Sequence, residues 1–424
     1  MPQYLSPGVY VEEVPSAIKA IAGVSTSTPG FIGVIPDKIH LVAKDPSKAP
    51  TDANPTPTKF VDFTLSADTK TPKLITNWTQ FTKLFGDLVG DENATATTDT
   101  NPTVDAGHTN LAHAVYGFFN NGGSSCFVVR ISSAPDLSDA LDAFATIDEI
   151  ALVAMPGNTD AAARDAIVTH CEKVGDRFAI LDGPPTIDDL TKLKTNPADT
   201  PAGVAPKNTN YGAWYFPWIK IFDPGSKMLT PGGDGLISVP PSGHLAGIYA
   251  RVDTERGVHK APANEAIRGA LGVTQPLAKA DQDQLNPKGV NCIRVLNGNI
   301  YAWGARTIGG DANADLKYIN VRRTLLFLRE SIDEGTQWVV FEPNTPQLWQ
   351  KITRNVTAFL TNVWRSGALF GTTQQEAFYV KCDAETNPPE LRELGQVVTE
   401  IGVAIVRPAE FVIFRISQFT APSK

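Results

Sequence analysis

The stretch ALVAMPGNTDAAARDAIVTHCEKVGDRFAIL, residues 151–181, decides the fold class. Ala151-Leu152-Val153-Ala154 is a short continuous apolar run and reads as a buried strand. From Thr159 to Val174 the spacing predicts a helix. Ala163, Ile167, Cys171 and Val174 share one face, and Thr159 or Asp160 serves as N-cap. Phe178-Ala179-Ile180-Leu181 follows as a second strand. Strand, helix and strand at this spacing form a βαβ unit, which implies a parallel pair and a right-handed crossover.

Upstream, Leu111 to Phe119 is a helix leading into Asn120-Asn121-Gly122-Gly123, and Cys126 to Ile131 is a strand. Trp78, Phe81, Leu84 and Phe85 fit a short amphipathic helix. Around it lie two polar stretches, 43–73 and 90–109, expected to be surface insertions. Phe31 to Ile35 is strand-like. Val9-Tyr10-Val11-Glu12-Glu13-Val14, between Gly8 and Pro15, is a strand with no neighbour in sequence. Such a strand must find an edge elsewhere, in its own chain or in another.

Downstream, Asp182-Gly183-Pro184-Pro185 and Pro240-Pro241-Ser242-Gly243 read as turns, and 194–210 as a Pro/Gly-rich loop. Val290 to Leu296 and Tyr301-Ala302-Trp303 open the last third. A helix over Tyr318–Ser331, a strand-like Trp338-Val339-Val340-Phe341 and a long helix from Pro346 to Leu369 come next. The chain closes with strands at Val403–Val406 and Glu410–Ile416, separated by Arg407-Pro408-Ala409. The expected fold is multidomain α/β. An N-terminal arm covers 1–25, and a segment with an outward-facing insertion covers 26–110. A middle α/β domain spans 111–274 and a C-terminal α+β domain 275–424.

The 424 residues exceed one small core. Hydrophobic residues at 42% and charged residues at 19% fit a globular protein, and a formal charge of −8 gives nucleic acid no bulk attraction. Cys126, Cys171, Cys292 and Cys382 form no CxxC pair and are expected as free thiols of a protein folded in a reducing cytoplasm. The first residues lack the pattern of a signal peptide, and no apolar run is long enough to span a membrane.

Chemistry finds little footing. No GxxxxGK[ST] occurs, and the turn Met155-Pro156-Gly157-Asn158-Thr159 is no dinucleotide fingerprint. His108 and His113 are five apart, one off the helical spacing for a metal pair, and His40, His170, His244 and His259 are scattered. Ser242-Gly243-His244 lacks a GxSxG elbow. No catalytic residue, cofactor or metal is expected. The long helix is more informative. Ile352, Val356, Phe359, Leu360 and Val363 make one apolar face, while Lys351, Arg354, Ala358, Thr361 and Arg365 make a second stripe, basic and without acids. Such a stripe reads either as a solvated face or as a docking surface for an acidic partner.

Several segments resemble the contractile tail sheath proteins of bacteriophages, phage-tail-like bacteriocins and extracellular contractile injection systems. They are Ser6–Glu13, Gly23–Ser27, Phe118–Gly123 with Val128-Val129-Arg130, and a long match from Pro240 through Gly243-His244 and Tyr249-Ala250-Arg251 to Glu255–Asn264. Leu285-Asn286-Pro287, Trp303–Thr307, Tyr318–Arg323, Glu330-Ser331-Ile332, Thr336–Asn344, Gly402-Val403-Ala404 and Pro408–Val412 continue it. The segments at 36–109 and 194–210 fall outside the likeness.

The resemblance implies a helical tube of stacked rings around an inner tube. In it, strands at Val9, Tyr10, Val11, Glu12, Glu13, Val14 and at Glu410, Phe411, Val412, Ile413, Phe414, Arg415, Ile416 would be added to sheets of neighbouring subunits. It places the helix at 346–369 against the inner tube, with Lys351, Arg354 and Arg365 as contacts. It implies self-association, an inner tube protein, and baseplate and tail terminator or cap proteins as partners, with no direct nucleic acid and no membrane insertion by this chain. Assembly in the bacterial cytoplasm, into a virion or a released injection particle, goes with it, and contraction needs no nucleotide. Two other readings compete. One is an α/β hydrolase-like enzyme with a Pro-rich lid, for which no activated nucleophile is found. The other is a tube or adhesion component of the same machine, which the length and the βαβ core oppose.

Overall fold

The structure, a computed structural model, describes residues 20–51 and 55–415. The described residues divide into two compact units, one of 24–329 with 405–415, the other of 330–404 with 20–23.

The larger unit opens with β1 (Pro29–Val34), β2 (Lys38–Lys44), β3 (Thr58–Thr64), β4 (Lys73–Ile75), β5 (Cys126–Ile131), β6 (Leu152–Ala154), β7 (Phe178–Asp182) and β8 (Gly212–Phe216). It continues with β9 (Ile219–Phe222), β10 (Leu236–Val239), β11 (Glu265–Ala266), β12 (Ala270–Val273), β13 (Val290–Leu296) and β14 (Asn299–Ala302). Its helices are α1 (Trp78–Phe85), α2 (Ala106–Asn120), α3 (Leu137–Ala145), α4 (Ala161–Val174), α5 (Pro224–Leu229), α6 (Ser242–Arg256) and α7 (Lys279–Leu285). The helix α8 (Ile319–Thr336) runs on into the smaller unit.

Nine strands form one sheet in the order β11-β14-β13-β8-β7-β6-β1-β5-β4. From β13 to β5 every neighbouring pair is parallel, and antiparallel strands close both ends. The βαβ unit is β6-α4-β7. Asp160 caps α4 by accepting from the Ala163 N–H at 2.9 Å, and Gly175 ends it in the left-handed region at φ 82°.

Strand residues alternate between two cores, as the pleat requires. Phe31, Val128, Phe178, Ile180 and Tyr215 join one with residues of α2 and α6. Ile32, Val129, Ala179, Leu181 and Trp214 join the other with residues of α3 and α4. Helices therefore cover both faces of the sheet. The crossing of α2 and α6 depends on missing side chains: a methyl on Gly243 would fall on the Ala114 backbone, and one on Gly117 on the His244 ring. Two smaller sheets, β10-β9-β12 and the β2-β3 hairpin, complete this unit.

The smaller unit holds the end of α8, α9 (Pro346–Arg365), α10 (Gln374–Ala377), β15 (Phe378–Lys381), α11 (Pro389–Glu393) and β16 (Glu400–Val403). Thr345 caps α9 and Pro346 opens it. The predicted apolar face is buried: Ile352, Val356, Phe359, Leu360 and Val363 are each at most 7% exposed. Trp349 Nε1 donates to Asn344 Oδ1 at 2.8 Å, and Trp364 Nε1 to Gly371 O at 3.0 Å, which pin the two ends of the helix. β15 and β16 pair antiparallel, Phe378 opposite Val403 and Lys381 opposite Glu400, in a sheet of two strands.

Several expectations change. The sheet continues through β13 and β14, so residue 275 is no boundary and the units meet at 329/330. The stretch 43–73 contains β3, whose Val61 is buried, and α2 begins at Ala106, so His108 is a buried helical residue and not part of an insertion. Pro240–Gly243 leads straight into α6 instead of a tight turn. Trp338–Phe341 is not a strand: α8 passes into a 3-10 turn over Gln337–Val339, where Val340 N–H donates to Gln337 O and Glu342 N–H to Val339 O. Local bonds there take the backbone groups a strand would need. The strand expected at Val403–Val406 lies earlier, at Glu400–Val403, and 410–415 make no strand within this chain.

Candidate functional site

Three features are candidate surfaces: the root of the C-terminal segment, the two-stranded sheet and the outer stripe of α9. The C-terminal segment belongs to the larger unit, the other two to the smaller.

Glu410 is clamped. Its carboxylate accepts from Arg306 Nε and Nη2, both at 2.8 Å, from Asn286 Nδ2 at 2.7 Å and from Tyr318 OH at 2.9 Å. Burial pushes this carboxyl up, but the bonds from Arg306, Asn286 and Tyr318 win and hold it below its ordinary range. A paired guanidinium fork of this kind is among the stronger polar contacts a protein makes. Immediately beyond it, Phe411, Val412, Ile413 and Phe414 are 70%, 69%, 77% and 85% exposed. Four large apolar side chains of β-forming types therefore stand in water, one after another, beyond a fixed root. The other predicted strand, Val9–Val14, and Ile416 lie outside the described residues.

In the smaller unit the β15–β16 ribbon has only two strands among the described residues, so its outer edges offer main-chain donors and acceptors. A two-stranded ribbon is marginal alone and gains from added strands. On α9, Arg354 and Arg365 are exposed and Lys351 half-buried, opposite the apolar face, and the helix contains no Asp or Glu.

The groups weighed for catalysis do not converge. Ser242 Oγ donates to Asp182 Oδ2 at 2.7 Å, and Asp182 also accepts from the Ser242 and Gly157 N–H groups. Asp182 thereby caps α6, a link the sequence did not reveal. Burial pushes its carboxyl up to about 6. His244 is buried against Gly117, its ring pushed down to about 3 by desolvation, and is not a base for Ser242. His113 bonds Asp223 at 2.9 Å, and burial pushes His108 down to about 4. The four cysteines are free and buried. His40, Asp62 and Asp99 come together, with Lys38 Nζ 3.2 and 3.7 Å from the two carboxylates, so an ammonium already stands beside the acids.

Comparison with known proteins shows the family. Residues 132–308 match the family model for the phage tail sheath protein central domain, and residues 311–419 that for the phage tail sheath C-terminal domain. Together they cover about two thirds of the chain, and the chain belongs to the phage tail sheath family.

A prophage protein of Pseudomonas aeruginosa (strain UCBPP-PA14), named as a major tail sheath protein, is 26% identical over 62% of this chain and 64% of its own length. The tail sheath protein of Burkholderia phage BcepMu is 26% identical over 46% of this chain and 40% of its own. The chain thus spans less than two thirds of these relatives. Among solved structures, a chain of the PVC sheath complex, an extracellular contractile injection system in its contracted state, shares 25% identity with a TM-score of 0.70, covering 99% of both chains. A chain of the anti-feeding prophage helical sheath, also contracted, shares 26% with a TM-score of 0.68, covering 97% of this chain and 99% of that one.

Proposed function

We propose that this chain is the structural subunit of a contractile sheath, which polymerises helically around an inner tube and shortens to drive that tube through a target envelope. The observation that carries the reading is the exposed run Phe411–Phe414 directly beyond the clamped Glu410. Inserted beside the β15–β16 ribbon of another copy, it would gain main-chain hydrogen bonds and bury its apolar face. The N-terminal strand Val9–Val14 acts in the same way on a second neighbour. Contacts that repeat head to tail without closing give an open helix. Relatives solved as contracted sheath and as baseplate assemblies support the same role.

The bodies rotate on contraction while the strand joints persist. At roughly 25 cal/mol per Å² of apolar surface, a few hundred Å² newly buried per subunit yields several kcal/mol, repeated along the tube. This chain hydrolyses no nucleotide in the process. Lys351, Arg354 and Arg365 face an acidic inner tube, and baseplate and terminator proteins cap the ends. The particle assembles in the bacterial cytoplasm as a phage tail or a released injection device. Negative-stain microscopy of the purified protein, with and without residues 1–20, tests the reading. Hollow tubes that the truncation abolishes support it. A monodisperse monomer across salt and concentration, even with tube and baseplate proteins added, overturns it.

A further inference from the structure

We infer that both terminal arms are rooted on one short stretch, Tyr318–Arg323 at the start of α8, so that a pull on one arm passes to the other through this node. The inference rests on the sheath reading, in which the arms join neighbouring copies.

The N-terminal root is Thr26. Arg323 Nη2 donates to Thr26 O at 2.8 Å and to Asp253 Oδ2 at 2.5 Å, while Nη1 donates to Asp253 Oδ1 at 2.9 Å. Thr26 Oγ1 donates to the same Asp253 Oδ2 at 2.5 Å, so backbone and side chain of one residue hold one ion pair. Arg323 is 3% exposed and Asp253 6%, and the guanidinium lies 4.7 Å from the Tyr249 ring. A buried pair of this kind resists separation, because parting it strands a charge away from water.

The C-terminal root is held from the same turn. Tyr318 OH donates to Glu410 at 2.9 Å, and Asn320 Nδ2 donates to Val406 O at 3.2 Å and to His259 O at 2.7 Å. Arg306 and Asn286 complete the clamp on Glu410. Positions 318 and 323 are about 8 Å apart along a helix that rises 1.5 Å per residue. Both roots are thus gripped by side chains of the same short stretch. Tyr318, Asn320 and Arg323 are thus positioning residues.

The test is hydrogen exchange on the full-length monomer, comparing wild type, Glu410→Ala, Glu410→Gln and the milder Tyr318→Phe. Glu410→Ala should speed exchange at least about tenfold at 405–410, and also raise it at the remote root 24–28, while β6 and β7 keep their protection. Glu410→Gln, which retains an acceptor, should restore most of the protection at both roots. Tyr318→Phe should give the same pattern at smaller amplitude, and it decides the matter should the alanine variant fold poorly. Faster exchange confined to 405–410, or spread evenly over the core, overturns the node. This readout needs no tubes, so a wild type that never polymerises would sink the sheath reading while leaving the node separately judged.

Discussion

Paired substitutions in the exposed run should distinguish a strand from an unstructured tail. In a strand, Phe411 and Ile413 point to one side and Val412 and Phe414 to the other. All four are at least 69% exposed in the single chain. If the segment is added to a sheet whose one face is core, one pair is buried and the other stays largely in water. Fully burying a side chain of this size is worth about 1.5–3 kcal/mol, so truncating the buried pair should weaken each joint by about 3–6 kcal/mol. At about 1.4 kcal/mol per tenfold, that is at least a hundredfold in the critical concentration for tube formation. The assay is pelleting of tubes across a protein dilution series for Phe411→Ser/Ile413→Ser and for Val412→Ser/Phe414→Ser. One pair should nearly abolish assembly and the other change it little. Monomer stability should stay within about 0.5 kcal/mol for both, because the side chains touch little in the monomer. Equal effects of the two pairs, or none from either, would refute strand addition.

Three further outcomes follow from the same structure. Arg354→Glu with Arg365→Glu, on the exposed stripe of α9, should leave the monomer melt unchanged and abolish capture of tube protein in co-sedimentation, with wild-type capture falling as salt rises. Burial holds His108 near 4 and His244 near 3 in the fold against 6.5 when unfolded, so the unfolded chain takes up more protons below 6.5. Each histidine then loses about 2 kcal/mol of stability by pH 5, with His170 acting in the same direction. Asp182, raised to about 6, opposes them by about 1.4 kcal/mol. Denaturant unfolding should therefore show a net loss of about 3 kcal/mol or more between pH 7.5 and pH 5, and a flat profile would contradict the burial. Gly243→Ala, whose methyl would fall on the Ala114 backbone, should cost about 1–3 kcal/mol in the same unfolding measurement.

Where chain-local signals were strong, the sequence was legible. The βαβ unit, the Asp160 cap and the apolar face of α9 all follow from short-range periodicity and capping chemistry. Beyond a turn at Pro240–Gly243, the span 211–274 carries weak local signals. Its α6 is buried along most of its length, so it lacks the polar face that marks a surface helix. The short strands β9, β10 and β12 gave too few residues for a period. Trp338–Phe341 misled because its composition favours a strand, while the preceding helix leaves its backbone no edge to join. Of the candidate surfaces, the apolar tail and the basic stripe are visible in the sequence. The clamp on Glu410 was not, since Asn286, Arg306 and Tyr318 approach it only through the fold. The same holds for Thr26 with Asp253 and Arg323, which lie more than 200 residues downstream of it.

The most direct measurement of the central claim is a cryo-electron microscopy map of the assembled protein at a resolution that traces main chain. The account predicts tubes in which residues from Phe411 onward form a strand hydrogen-bonded beside β15–β16 of a neighbouring copy, with Glu410 still held by Arg306. Tubes in which that segment folds back on its own subunit, or makes no main-chain bonds to a neighbour, would contradict it.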